Sequence, residues 1–241
     1  PVVGWGHARP VTAAGLRSRR VNLLDRDAVA AAIAADRPTH LIHLAGAPHV
    51  GRSWQRVVPT LQVNVLGTHH LLDAIRREAP GCRTLVVTSA MIYRAGQNAL
   101  TEDAPLVPAD PYGLSKLAQD QRARLAATED GLDVVVARPF NHIGPGQDPS
   151  FAISSFARQI ALIERGAAPP VLRVGNLDAE RDLTDVRDVV EAYQRLLEGG
   201  VTGAAYNVCS GRAWRIGDLL DQLLAQTPAA KPAPARAVDD A

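Results

Sequence analysis

The sequence predicts an α/β fold built on a doubly wound parallel sheet, and three features of the chain point to it. Short runs of β-branched and aliphatic residues alternate with longer helical patterns through residues 1–140. The runs Leu85–Val87 and Val134–Val136 are continuously apolar, as strands covered by helices on both faces are. Aromatic residues make up only 4% of a chain that is 46% apolar, so the core has to be assembled from Val, Leu, Ile and Ala.

In chain order, the expected strands are Val2–Trp5, Arg20–Leu23, His40–Ala45, Arg83–Thr88, Asp133–Arg138, Val171–Val174 and Ala205–Val208, each short and rich in β-branched or aliphatic residues. Amphipathic helices are expected between them. Asp27–Ala35 is the first. Val57–Arg77 carries Leu61, Val65, Leu71, Leu72 and Ile75 near helical spacing. Pro111–Ala127 opens with Asp110 as N-cap and a proline at the first helical position. Ile153–Glu164, Val186–Leu197 (ended by Gly199-Gly200) and Ile216–Gln226 follow. Past residue 140 the elements are less regular, which predicts a large domain over 1–140 and a smaller lobe over 141–241, with a strand near 204–208 returning to the main sheet. The Pro/Ala-rich tail from Thr227 reads as a linker.

A chain of 241 residues has room for one large domain and a small lobe. Its 26 basic and 25 acidic residues leave a net charge of +1, with no basic run beyond Arg17–Arg20, which argues against a nucleic-acid partner. No stretch approaches the ~18 uncharged apolar residues of a membrane helix, and the start has no signal-peptide pattern. Cys82 and Cys209 form no motif and read as small buried residues of a reducing compartment. The expectation is a cytoplasmic protein with no membrane partner and no metal.

Chemistry concentrates in Tyr112-Gly-Leu-Ser-Lys116. Four residues of helix turn about 400°, so Tyr112 and Lys116 project from one face. A cation beside a phenol, at a positive helix N-terminus, favours phenolate and is expected to lower the Tyr112 pKa. The product is a group able to exchange a proton during carbonyl reduction or alcohol oxidation. Ser89 ends the strand Arg83–Thr88 at the carboxyl edge of the sheet, where ligands bind in open α/β sheets. A serine there, followed by a Tyr/Lys pair, suits the polarisation of a single oxygen.

These residues fall in a longer series. His43-Leu-Ala-Gly46, Asn64-x-x-Gly67-Thr68, Ser89, Tyr112-x-x-x-Lys116 and Arg138-Pro-Phe-Asn141 occur in the order found in the extended short-chain dehydrogenases/reductases, the NAD-dependent epimerase/dehydratase family. The segments Arg138–Gln147 and Val174–Asp182 resemble more narrowly the GDP-mannose 4,6-dehydratase group and its sister GDP-4-keto-6-deoxymannose reductases. The resemblance runs over essentially the whole chain, from the family's second strand onward. It implies a Rossmann-like sheet whose first βα unit, with its glycine-rich loop, lies before Pro1, so the 241 residues alone are expected to hold a dinucleotide poorly.

By this resemblance Tyr112 is the acid/base, Lys116 its partner and ribose anchor, and Ser89 a donor to the sugar's C4 oxygen. Cofactor contacts are implied for Arg9, Asp25 (near the adenine), Leu44, Ala45, Gly46, Tyr112 and Lys116. Substrate contacts are implied for Ser53, Ser89, Asn141 and Arg181, a guanidinium fork being well matched to pyrophosphate oxygens. The lobe 141–241 is then the substrate-binding part. A homodimer through the helices Val57–Arg77 and Pro111–Ala127 is implied as well.

The turn after Ser89 separates the possible reactions. Where the dehydratases carry an acidic residue, this chain has Ala90 and Met91, which hold no proton. Reduction of a nucleotide-linked 4-keto-6-deoxy sugar needs nothing beyond the set present. The loop Trp5-Gly-His7-Ala-Arg9 lacks the acid that accepts the ribose hydroxyls in NAD-specific members, and Arg9 or His7 could meet a 2′-phosphate. NADP is therefore the expected cofactor, with NAD as the alternative. A C4 epimerase using the same residues, or a 4,6-dehydratase of the same family, is the alternative reaction, and a non-catalytic nucleotide-sugar-binding relative is the reading from a different class.

Overall fold

The structure is a computed structural model that describes residues 2–7, 10–94, 96, 99–227 and the backbone of 233–235. Its contacts divide the chain into two compact units, residues 1–139 with 192–208, and residues 140–191 with 209–241.

In the first unit, β1 (Val2–Gly6) pairs in parallel with β2 (Leu16–Arg20), and α1 (Arg26–Asp36) follows. Then come β3 (His40–His43), α2 (Val50–Gln55), α3 (Val57–Leu61), a π-helical turn (Gln62–Leu66) and α4 (Gly67–Glu78). β4 (Arg83–Val87) leads through a 3-10 turn (Ala90–Ile92) to α5 (Pro111–Thr128) and β5 (Val134–Pro139). The remaining elements of the chain are β6 (Asn141–Ile143), α6 (Ala152–Glu164), β7 (Val171–Arg173), β8 (Glu180–Asp185), α7 (Val186–Gly199), β9 (Ala205–Val208), β10 (Ala213–Arg215), α8 (Ile216–Ala225) and β11 (Ala233–Ala235). β3, β4, β5 and β9 form an all-parallel sheet in that order, the doubly wound α/β arrangement of a Rossmann-like fold. β1 and β2 stand as a separate parallel pair, and β1 and β3 share no ladder.

The core of this unit is aliphatic. Val29, Ile33, Leu71, Leu72, Ile75, Val86, Val134 and Val136 are buried between the helices and the sheet. Each such side chain contributes about 1.5–3 kcal/mol when fully removed from water. In the second unit, β6 and β10 flank β8, and β7 pairs with β11. A small apolar cluster of Phe156, Ile160, Leu172, Val174, Ile216, Leu220 and Leu224 holds that unit together.

One expected strand is displaced. The chain is extended over Leu16–Arg20 and turns through Val21–Asp25, whereas the sequence predicts the strand over Arg20–Leu23. β2 pairs on one side only, and it carries Arg17 and Arg19 onto the Asp36 carboxylate, so its side chains are charged. Val21 and Leu23 instead anchor the turn in the core. The long helix expected over Val57–Arg77 is interrupted by the π-helical turn, and α2 precedes it. The short strands β6, β8 and β10 lie in segments where the sequence shows no alternating or apolar run.

α5 is joined to the sheet by polar contacts. Arg138 on β5 grips Asp120 through both carboxylate oxygens, at 2.8 and 3.0 Å, with both side chains out of contact with water. Arg138 also donates to Tyr93 Oη and to the Glu102 carbonyl, and Tyr93 donates to Asn207 on β9. Removing one partner leaves an uncompensated buried charge. Asp120→Asn is expected to lower the unfolding free energy by about 3–5 kcal/mol, whereas Asp120→Leu combined with Arg138→Met recovers much of that loss. Urea titrations of the intact protein and both variants make the comparison.

Candidate active site

The N-terminus of α5 is built as the sequence suggests. Asp110 caps it by accepting the Gly113 N–H at 2.8 Å, and Pro111 occupies the first turn. Gly113 is pressed against the 3-10 turn: a Cβ there would lie 2.5 Å from the Met91 carbonyl oxygen. This close approach brings Tyr112 to Ser89. Ser89 caps the 3-10 turn by accepting the Met91 N–H at 3.1 Å and lies near enough to the Tyr112 hydroxyl to favour its ionised form.

Lys116 lies one turn further on, buried, with its Nζ 6.0 Å from the centre of the Tyr112 ring. It donates to the Val87 carbonyl at 3.1 Å and to Gln119 Oε1 at 2.8 Å. Two of its three N–H bonds are thus engaged by named partners. Gln119 Nε2 donates to Thr68 Oγ1, which itself donates to the Asn64 carbonyl. The Thr68 oxygen is therefore an acceptor towards His43 Nε2, 2.8 Å away, so the imidazole carries its proton on Nε2. Asn64, set in the π-helical turn, accepts from the Ala47 N–H and donates to Ser115 Oγ. A π-helical turn of this kind often marks a functional segment.

Burial dominates the electrostatics. It pushes the Tyr112 phenol above its usual value, the nearby Ser89 hydroxyl opposes that shift, and the Asp110 carboxylate adds to it. The lowered tyrosine pKa expected from the Tyr/Lys spacing is thus corrected. The desolvation cost of a buried phenolate exceeds what its neighbours return, and the group holds its proton. Burial likewise brings the Lys116 ammonium down to about 8. His43 is lowered to about 3 by burial and then by Lys116, so it is neutral near pH 7.

The turn Leu44–Gly46 after β3 is exposed and sits beside this cluster. A Cβ on Gly46 would come within 2.8 Å of Asn64 Oδ1 and 3.5 Å of Lys116 Nζ, so the backbone there must stay bare. An exposed apolar shelf next to a lysine with a further N–H to give fits a ribose and its flat ring system. Asp25 is the N-cap of α1, accepting the Ala28 N–H at 3.0 Å. Ser53 is buried, and its hydroxyl donates to the Val50 carbonyl within its own helix. Arg9 lies outside the described residues. Asn141 and Arg181 belong to the second unit, on β6 and β8. Arg181 donates to the Glu180 carbonyl. Neighbouring Asp185 is held by Arg187, and Asp182 accepts from Ser210 and from the backbone of Gly211 and Arg212. Among the described residues no cluster of His, Cys, Asp or Glu could hold a metal ion, and no helix is long and apolar enough to cross a membrane.

His43, Asn64, Thr68, Ser115 and Gln119 are the members of the cluster that sequence reasoning left without a role, and of these Gln119 falls outside every motif quoted. Gln119 stands three residues after Lys116 on the same helical face, which was the available signal.

The family model described as GDP-mannose 4,6 dehydratase matches residues 8–230. The GDP-6-deoxy-D-mannose reductase of Pseudomonas aeruginosa is 41% identical over 85% of this chain and 68% of the relative. UDP-glucose 4-epimerase 2 of Oryza sativa subsp. japonica is 31% identical over 82% of this chain and 53% of the relative. Among solved structures, RMD from Pseudomonas aeruginosa complexed with NADPH superposes with a TM-score of 0.82 at 40% identity, covering 90% of this chain and 76% of that one. A Ser/Tyr/Lys cluster at the carboxyl edge of a parallel sheet defines the class as short-chain dehydrogenase/reductase-like. The chain belongs to the GDP-mannose 4,6-dehydratase family within the extended epimerase/dehydratase branch. It spans about two thirds of the reductase's length and about half of the epimerase's.

The neutral His43 ties stability to pH. Its folded pKa of about 3 lies below the unfolded value near 6.5, so between the two the unfolded chain binds more protons. Its contribution is complete above about pH 6.5 and is lost as pH falls towards 3. By pH 4.5 the loss is about 2–3 kcal/mol at 1.36 kcal/mol per unit. In His43→Gln, the difference in unfolding free energy between pH 7 and pH 4.5 is expected to shrink by that amount, measured by urea titration of the intact protein at both pH values.

Proposed function

We propose that the protein reduces a nucleotide-linked 4-keto-6-deoxy sugar of the GDP-4-keto-6-deoxymannose type, with Tyr112 supplying the proton. The observation that carries this reading is a buried phenol that keeps its proton, with Ser89 close by, beside a turn holding Ala90 and Met91. A proton donor must retain its proton until charge develops on the accepting oxygen. A dehydratase would need a second acid or base in that turn, and neither Ala90 nor Met91 ionises.

NADPH is the proposed cofactor, with NAD as the alternative, and when bound it supplies the hydride for the sugar's C4. Leu44, Ala45, Gly46 and Lys116 are the residues suited to hold its nicotinamide end, Asp25 and Arg9 its adenosine end. NADPH bound to the Pseudomonas aeruginosa relative supports this choice. Ser89 orients the C4 oxygen towards Tyr112, and Lys116 provides a positive field that stabilises the phenolate left after transfer. In the second unit, the proposed substrate lobe, Asn141 and Arg181 are the residues proposed to bind the sugar–pyrophosphate; Ser53 of the first unit is a further proposed substrate contact. A C4 epimerase is the second reading, because the same Ser/Tyr/Lys set could serve it and the Oryza sativa relative is an epimerase by name. A cytoplasmic location is part of this proposal.

A panel of nucleotide sugars offered with NADPH and NADH to the intact protein tests this. The expected result is cofactor oxidation with GDP-4-keto-6-deoxymannose, faster with NADPH, and a fall of about 10²–10⁴-fold in kcat for Tyr112→Phe with substrate binding retained. Water loss from GDP-mannose, or near-native turnover of Tyr112→Phe, contradicts the reading.

We also propose a homodimer through the faces of α3, α4 and α5. Val58, Leu66, Leu114 and Leu125 are exposed there, and an open groove of about 440 Å³ is lined by Leu61, Val65, Leu66 and Arg122 among others. Sedimentation of the intact protein at micromolar concentration is expected to give twice the chain mass, and a monomer contradicts the proposal.

A further inference from the structure

Of the 26 basic residues only Lys116 and Lys231 are lysines, and Lys116 is buried. An ammonium can only donate hydrogen bonds, so each partner must offer an oxygen. Gln119 does so, and its orientation is not free. Thr68 spends its own proton on the Asn64 carbonyl and can only accept from Gln119, which turns the amide NH₂ towards Thr68 and the amide oxygen towards Lys116. His43 occupies the other acceptor position of Thr68 and completes the clamp. All four side chains are buried, so no solvent substitutes for a missing partner.

The ionisable groups around Lys116 leave its charge uncompensated. His43 faces it from β3 and is neutral. Tyr112 lies below it on α5 and holds its proton. Asp120, one turn beyond, is gripped on both oxygens by Arg138. Asp110 is engaged at the N-cap. From α4 and the π-helical turn come Thr68 and Asn64, which do not ionise. We propose that Gln119 is the positioning residue for Lys116: held by Thr68, which is itself held by His43 and the Asn64 carbonyl, it presents a neutral acceptor that fixes the ammonium beside Tyr112 without cancelling its field. A carboxylate in the same place would hold Lys116 as firmly but neutralise it. This inference rests on the reading of Tyr112 and Lys116 as a working pair.

The test uses the intact protein with ¹³C-labelled lysine, following the ε-carbon of Lys116 through a pH titration, with its signal assigned by its loss in Lys116→Met. Gln119→Glu is expected to raise the Lys116 midpoint by about one unit or more, and Thr68→Val to lower it by about half a unit. Both are expected to cut kcat by about tenfold with KM for the sugar unchanged. If Gln119→Glu does not fold, Thr68→Val decides. Midpoints within about 0.2 units of the parent in the folded variants overturn the proposal. Near-native turnover of Tyr112→Phe would instead defeat the functional reading and leave the titration result standing, so the two failures are distinguishable.

Discussion

The structure depends on one constraint: α5 buries a polar face. Ser115, Lys116, Gln119 and Asp120 are all out of water, and each must find a partner or cost about 1–3 kcal/mol, more for the charges. The partners come from every neighbouring element. Asn64 and Thr68 reach in from the π-helical turn and α4, Val87 from β4 and Thr88 just after it, and Arg138 from β5. No buried side-chain nitrogen or oxygen among the described residues is left without a partner. A helix pinned at this many points has one register and one rotation. Tyr112, at its first turn, inherits that position.

The same burial sets the chemistry. An exposed Tyr/Lys pair would let the cation dominate and draw the phenol downward, which is what spacing alone predicts. Inside the protein the desolvation cost falls on both groups in opposite directions, raising Tyr112 and lowering Lys116. A phenol that keeps its proton suits donation to a carbonyl oxygen, and a lysine near its midpoint is sensitive to every neighbour. The neutrality of Gln119 and His43 matters for that reason.

Much of this was legible in the sequence. The aliphatic runs Leu85–Val87 and Val134–Val136 marked central parallel strands because helices cover both faces. Asp110-Pro111 marked the start of α5 because capping is local chemistry. What escaped depended on tertiary context. β2 is rich in arginine, so the apolar pattern places the strand at Arg20–Leu23, overlapping β2 only at Arg20. The π-helical turn around Asn64 satisfies contacts to Ala47 and Ser115 that no local pattern encodes. The sign of the Tyr112 shift is a property of burial, which spacing does not report. The role of Gln119 depends on Thr68, a residue 51 positions away in sequence that is held in turn by His43 and that no local pattern pairs with Gln119.

The most direct measurement of the central claim follows a single hydrogen. The intact protein is incubated with GDP-4-keto-6-deoxymannose and NADPH deuterated at the transferable position of nicotinamide C4, and the product is read by NMR. The expected product carries one deuterium at the sugar's C4, formed at a normal rate by the parent and slowly by Tyr112→Phe. A product without deuterium at C4, or deuterium delivered equally fast by both proteins, would contradict the assignment of Tyr112 as the proton donor in a hydride transfer.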